Sequence, residues 1–186
     1  RVTAGAAPGE EAFEVVDPAL VRNHEVELTG LQPGQVYYYT IGTSTDVMDG
    51  GDEGAFFRTS PVIGDPSPCT IWAFGDAGRN SQNQFDVRDA MLEHLDGESP
   101  DIILNLGDVA YNFCSDGDLT SNMFSVYQDV LRRVPMLPTT GSHEQQNNNV
   151  YAGLGPYFDA FSLPASGGSG GHPPSAHIPM LLRFER

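Results

Sequence analysis

Residues 101–111 read DIILNLGDVAY, an apolar run closed by Gly107-Asp108 and followed by Tyr111. A short continuous apolar run of this kind is the pattern of a strand buried on both faces. The pattern recurs upstream in residues 70–78, TIWAFGDAG, where Thr70 to Phe74 ends in Gly75-Asp76. Downstream, Val134 to Thr140 (VPMLPTT) is a third extended stretch, ending in Gly141-Ser142-His143-Glu144. Between the first two runs, Gln84 to Leu95 sets Phe85, Arg88, Met91, Leu92 and Leu95 at helical spacing. Between the last two, Leu119 to Val134 does the same with Met123, Val126, Tyr127, Val130 and Leu131. Strand, helix, strand, helix, strand predicts a right-handed parallel βαβαβ unit. Ligands of such sheets bind beyond the carboxyl ends of the strands, and all three short motifs fall there.

Before about Pro61 the rhythm is all-β. His24 to Leu28 alternates polar and apolar residues, and Gln35 to Ile41 (QVYYYTI) is aromatic and β-branched, as strands prefer. Gly30-Leu31-Gln32-Pro33-Gly34 is the turn between them. A Gly- and Asp-rich loop from Thr43 to Gly54 leads to a last strand, Ala55 to Thr59. Pro61 to Pro68 has linker composition. The segment Leu31-x-Pro33-Gly34-x-x-Tyr37 resembles the corner of a fibronectin type III-like sandwich, in which a tyrosine hydroxyl ties back to nearby backbone. Such a sandwich takes about seven strands and ~100 residues, so the expectation is a partial one holding only the later strands.

The chain has 186 residues, 39% hydrophobic and 18% charged, enough for a packed core. Its formal net charge is −16, and every Lys/Arg position is arginine. Such a balance repels phosphate backbones and argues against nucleic acid and anionic membranes as partners. No apolar run approaches the ~20 residues of a membrane span. No signal peptide is visible, and the first residue is Arg1 rather than Met. Cys69 and Cys114 match no zinc or redox spacing. They fall before the first parallel strand and after the second, at opposite ends of the sheet, so no disulfide is expected between them.

Gly-Asp after a buried strand has a chemical logic. Glycine lets the chain turn sharply, and the aspartate presents a hard oxygen at the strand edge. Two such carboxylates on adjacent parallel strands can hold cations about 3.5–4 Å apart. A single Gly-Asp is more often a cap or a turn; the repetition of the context at Asp76 and Asp108 is what turns the reading toward metal.

Gly75-Asp76-Ala77-Gly78, Gly107-Asp108-Val109-Ala110-Tyr111 and Gly141-Ser142-His143-Glu144 resemble the first three of five motifs of the purple acid phosphatases, members of the calcineurin-like metallophosphoesterases. Those motifs run Gly-Asp-x-Gly, Gly-Asp-x-x-Tyr and Gly-Asn-His-Glu/Asp, followed by Val-x-x-His and Gly-His-x-His. The likeness covers residues 70 to about 165, and a sandwich ahead of the phosphatase domain is usual in several branches. The resemblance implies a dinuclear hydrolase of phosphate monoesters, extracellular or secreted. Asp76 and Tyr111 would bind the first metal and Asp108 would bridge both. His143 would contact the phosphoryl oxygens or the leaving group. A free phenol ionises near pH ~10, so Tyr111 as a phenolate ligand asks for a strong Lewis acid, and the resemblance implies ferric iron (Fe3+). Zinc, manganese or ferrous iron would occupy the second position. Tyr37, Tyr38, Tyr39, Tyr127 and Tyr157 read as packing residues, and His24 and His94 as surface residues. Arg79, one residue past the first motif, can reach a phosphate or stand as a solvated loop arginine.

Three departures follow. Ser142 stands where the family has asparagine, a shorter and poorer donor that weakens the second metal position. The last two motifs are not found; His172 and His177 lie in GGHPPSAH without the required spacing. From His172 to Arg186 no strand alternation is evident. The expected layout is a partial sandwich at 1–61, a linker at 62–69, the first half of a metallophosphoesterase domain at 70–171 and an atypical tail at 172–186. The simplest expectation is a fragment or disrupted gene model, weakly active or inactive as it stands. The alternatives are a non-catalytic pseudophosphatase serving as a binding scaffold, and a phosphodiesterase of the same superfamily. Oligomeric state is not legible.

Overall fold

Alternation of side chains is clearest in Val36–Gly42, where Tyr37, Tyr39 and Ile41 are buried and the residues between them are half-buried. The computed structural model describes residues 1–149, 152–162 and 181–183. Within it, Arg1–Pro68 with Leu181–Arg183 form one compact unit, and Cys69–Ser162 form another.

The first unit contains strands β1 (Val2–Gly5), β2 (Phe13–Val15), β3 (Asn23–Glu25), β4 (Val36–Gly42), β5 (Val47–Gly50) and β6 (Phe56–Arg58). β1 lies antiparallel between β2 and β4, and β4 also pairs antiparallel with β5 and β6. Val2, Ala4, Tyr39, Ile41 and Ala55 form the core, with Phe13, Val26, Leu28 and Phe57 packed against it. The Tyr37 ring meets Phe13 edge-on at 5.6 Å and stacks on Phe57 at 5.8 Å. Its hydroxyl accepts the Gln32 N–H at 2.9 Å, closing the Gln32–Gly34 turn back on the strand.

Some elements differ from the sequence reading. β5 lies inside the expected loop Thr43 to Gly54; its Val47 and Met48 are exposed, so it carries no buried-face alternation to signal a strand. β3 begins at Asn23 and stops at Glu25, short of the expected Leu28. It pairs with Leu181–Arg183, a strand in a tail where none was expected.

The second unit is built on a parallel sheet of β7 (Ile71–Phe74), β8 (Ile102–Asn105) and β9 (Met136–Pro138), in that order. Helix α1 (Gln82–His94) joins the first two strands. The expected single helix over Leu119 to Val134 is instead α2 (Asp116–Leu119), a π turn over Thr120–Phe124, and α3 (Ser125–Leu131). Its start is set by a capping box, in which Ser115 Oγ accepts the Asp118 N–H and the Asp118 carboxylate accepts the Ser115 N–H. Met123, Val126, Tyr127 and Val130 stay buried across the π turn. Ile103, Val130 and Val134 form the core, with Trp72, Phe74, Leu92, Leu131 and Met136 against it. Short helices α4 (Glu144–Asn147) and α5 (Pro156–Ala160) follow β9. Cys69 is an exposed free thiol and Cys114 a buried one. Among the described residues no helix is long and apolar enough to cross a membrane.

Candidate metal centre

Each parallel strand ends in a loop whose backbone departs from extended geometry. Asp76 and Asp108 both sit in the left-handed region, at φ 56° and 49°, uncommon for a residue other than glycine. The Asp76 N–H donates to the Gly107 carbonyl at 3.2 Å, which binds the first loop to the second. Two motif glycines are there for space. A Cβ on Gly78 would stand 2.0 Å from the Val109 carbonyl oxygen, and one on Gly141 would stand 2.3 Å from Asp108 Oδ1. The close approach at Gly78 lets its carbonyl accept the Tyr111 N–H at 2.7 Å.

These constraints bring three oxygens together. The Tyr111 ring is buried, and its hydroxyl donates to Asp76 Oδ1 at 2.8 Å and lies 3.2 Å from Asp108 Oδ2. Asp108 also accepts the His143 N–H at 2.9 Å, with Ser142 Oγ 3.3 Å from both of its oxygens. Partial burial pushes the Asp108 carboxyl up, but the His143 N–H and the Tyr111 and Ser142 hydroxyls outweigh it, and its pKa is lowered. Burial, together with Asp76 and Asp108, pushes the Tyr111 phenol up to about 12. Without a cation Tyr111 is therefore a neutral donor to two carboxylates. Two carboxylate oxygens and a phenol form a donor set suited to a hard cation. That set fits the first metal position.

The second position is thinner. Of the expected ligands it has Asp108 and Ser142, and the Ser142 hydroxyl is engaged with the Asp108 carboxylate. Among the described residues no three His, Cys, Asp or Glu side chains gather as a metal site; the group beside Asp76 and Asp108 is the Tyr111 phenol. His172 and His177 lie outside the described residues.

No family model matches the chain. Over 173 residues it is 31% identical to purple acid phosphatase 15 of Arabidopsis thaliana, covering 78% of this chain and 31% of the plant protein. It is 28% identical over 147 residues to acid phosphatase type 7 of Mus musculus, covering 76% of this chain and 30% of that protein. With alkaline phosphatase D of Bacillus subtilis (strain 168) the identity is 27% over 100 residues, covering 54% of this chain and 16% of that one. The similarities support metallophosphoesterase kinship at modest identity. The chain spans less than a third of the length of each relative.

His143 lies beside the convergent oxygens, its ring centroid 4.2 Å from that of Tyr111. Its Nδ1 is in close contact with the Asn112 carbonyl. A carbonyl can only accept, so Nδ1 carries the proton in this pairing and Nε2 is left as the basic nitrogen.

Three supporting residues escaped the sequence reading. Glu144 is fully buried and accepts the N–H groups of Asp108 at 2.9 Å, Val109 at 2.8 Å and Gly141 at 2.6 Å. It thus staples the loop after β9 to the loop after β8. Beside it, the Cys114 thiol is pushed up by burial and by the Glu144 carboxylate. Gln84 of α1 is buried; its Oε1 accepts the N–H groups of Arg79 at 3.0 Å and Asn80 at 2.7 Å, and its Nε2 donates to the Asn122 carbonyl at 2.8 Å. Asn122, in the π turn, donates to the Tyr111 carbonyl at 2.6 Å. Glu144 was legible only as a motif letter, and Gln84 and Asn122 have no local signal at all.

Proposed function

We propose that this chain carries the first-metal half of a phosphate monoester hydrolase of the purple acid phosphatase kind. The convergence of Asp76, Asp108 and Tyr111 on one point carries the reading. These residues would hold ferric iron; Asp108, with Ser142, would contribute to a second position for zinc, manganese or ferrous iron. When bound, such ions supply Lewis-acid polarisation of the phosphoryl group and activation of water. The chain's own part is distinct. Asp108 is oriented by the His143 N–H and by the Glu144 staple. His143, tethered through Nδ1, presents an Nε2 that can accept a proton in the neutral ring and give one to the leaving oxygen only from the doubly protonated ring. A phosphodiesterase is the neighbouring alternative, and Tyr111 favours the purple acid branch.

The domain layout belongs to the same proposal: a partial fibronectin type III-like sandwich at 1–61, a linker at 62–69, the half phosphatase domain at 70–171 and a tail at 172–186. The Tyr37–Gln32 hydrogen bond supports the sandwich reading. Location outside the cell rests on the family resemblance.

The test is turnover of p-nitrophenyl phosphate at mildly acid pH with iron plus zinc or manganese, comparing this chain with one extended to carry Val-x-x-His and Gly-His-x-His. Activity in the extended chain supports the hydrolase. Activity in neither favours a second reading, a non-catalytic binding scaffold, to which Ser142 in place of asparagine points.

A further inference from the structure

Tyr111 carries a second neighbour that the metal reading leaves unused. The guanidinium carbon of Arg79 lies over the Tyr111 ring, 3.7 Å from its centroid. Arg79 is an exposed residue, yet it is held at both ends. Its backbone N–H is fixed by the buried Gln84 side chain, and its head is fixed by the aromatic face. Arg1 is engaged by Glu11 and Glu14, and Arg88 by Asp89 and the Val126 carbonyl. Stacking on a ring leaves the in-plane N–H donors of a guanidinium directed outward, the fork that matches phosphate oxygens. A phosphate approaching Asp76 and Asp108 meets two carboxylates on a chain of net charge −16. A fixed cation beside them offsets that repulsion.

We propose that Arg79 is a phosphoryl-anchoring residue, binding the peripheral oxygens of a phosphate ester or of inorganic phosphate at this centre. The proposal rests on the metal reading above. Phosphate would engage the Arg79 fork while the Gln84 bond and the Tyr111 ring hold its approach angle.

The experiment uses the full chain loaded with iron, with inorganic phosphate as probe. Iron content and the visible phenolate-to-iron absorption report the metal reading; calorimetry reports phosphate affinity. Loss of a charge-assisted bidentate contact predicts that Arg79→Gln weakens phosphate binding roughly 10–100-fold, with iron content and absorption unchanged. Arg79→Lys recovers part of the affinity as a point charge. Undiminished phosphate binding by Arg79→Gln, or no phosphate binding by iron-loaded wild type, overturns the Arg79 assignment and leaves the metal reading standing. Loss of the iron absorption in Arg79→Gln also overturns it, since the arginine then serves Tyr111 alone. A wild-type chain that takes up no iron overturns the metal reading and the anchor together.

Discussion

Tyr37 and Tyr111 are both buried tyrosines placed just beyond a glycine-containing motif, one in each unit, and their hydroxyls are used in opposite ways. In the antiparallel unit Tyr37 packs its ring between Phe13 and Phe57, and its oxygen accepts a backbone N–H from Gln32. Every partner is neutral, so the group serves to close a turn. In the parallel unit Tyr111 packs against His143 and Arg79, and its oxygen donates toward two carboxylates. There the hydroxyl is surrounded by charge, and its proton is what a cation would displace. The side chain is the same; the strand-end loops around it decide between structure and chemistry. Those loops demand positive φ at Asp76 and Asp108 and close contact at Gly78 and Gly141, strain that is reasonable to find where a site is assembled.

The strongest way to break this contrast is to dismantle the frame that supports Tyr111's partners. Glu144→Ala leaves three backbone N–H groups without their acceptor, that of Val109 buried and those of Asp108 and Gly141 part-buried, the buried one alone costing about 1–3 kcal/mol. A drop in unfolding free energy of roughly 3 kcal/mol is expected in urea titration. A change within experimental error would mean that the staple does not hold the Asp108 loop. At the other tyrosine the expected effect is smaller. Tyr37→Phe removes one hydrogen bond, about 0.5–1.5 kcal/mol, and leaves iron uptake untouched. Loss of iron uptake in that variant would show that the two tyrosines are not separable in this way.

An effect of similar size lies at the start of α2. Burial pushes the Asp118 carboxyl up, but the Ser115 hydroxyl and the N–H groups of Ser115, Phe113 and Asn112 outweigh it, and its pKa is lowered. A carboxyl depressed in the folded state stabilises above its unfolded pKa of ~3.9 and loses that contribution as pH falls through its folded value. Asp118→Asn should therefore cost about 1 kcal/mol at neutral pH, with the difference from wild type closing in acid. A gap that persists below pH ~2 would place the effect outside this carboxylate.

Legibility followed range. β7 and β8 could be located because a short apolar run writes a strand into consecutive residues, and the Gly-Asp pairs sit where the strand must end. β7 is not the strand buried on both faces that its run suggested, since Ile71 and Ala73 are exposed. The parallel sheet followed from the βαβαβ rhythm, whereas the meeting of Tyr111 with Asp76 and Asp108 was expected only from the family resemblance. Glu144, Gln84 and Asn122 act through backbone N–H or carbonyl groups up to 38 positions away, so nothing near them in sequence marks the role. The break of the second helix into α2, a π turn and α3 was hidden because its buried residues keep a helical spacing throughout. Arg79 was readable as a candidate; its place over the Tyr111 ring was not, because that contact joins the loop after β7 to the loop after β8.

The central claim is that Tyr111, with Asp76 and Asp108, receives a hard cation. Visible absorption during ferric iron titration tests it most directly, run on wild type, Tyr37→Phe and Tyr111→Phe. A phenolate-to-iron band that appears with wild type and Tyr37→Phe and is absent from Tyr111→Phe is the predicted result. No band in wild type, or an undiminished band in Tyr111→Phe, would contradict it.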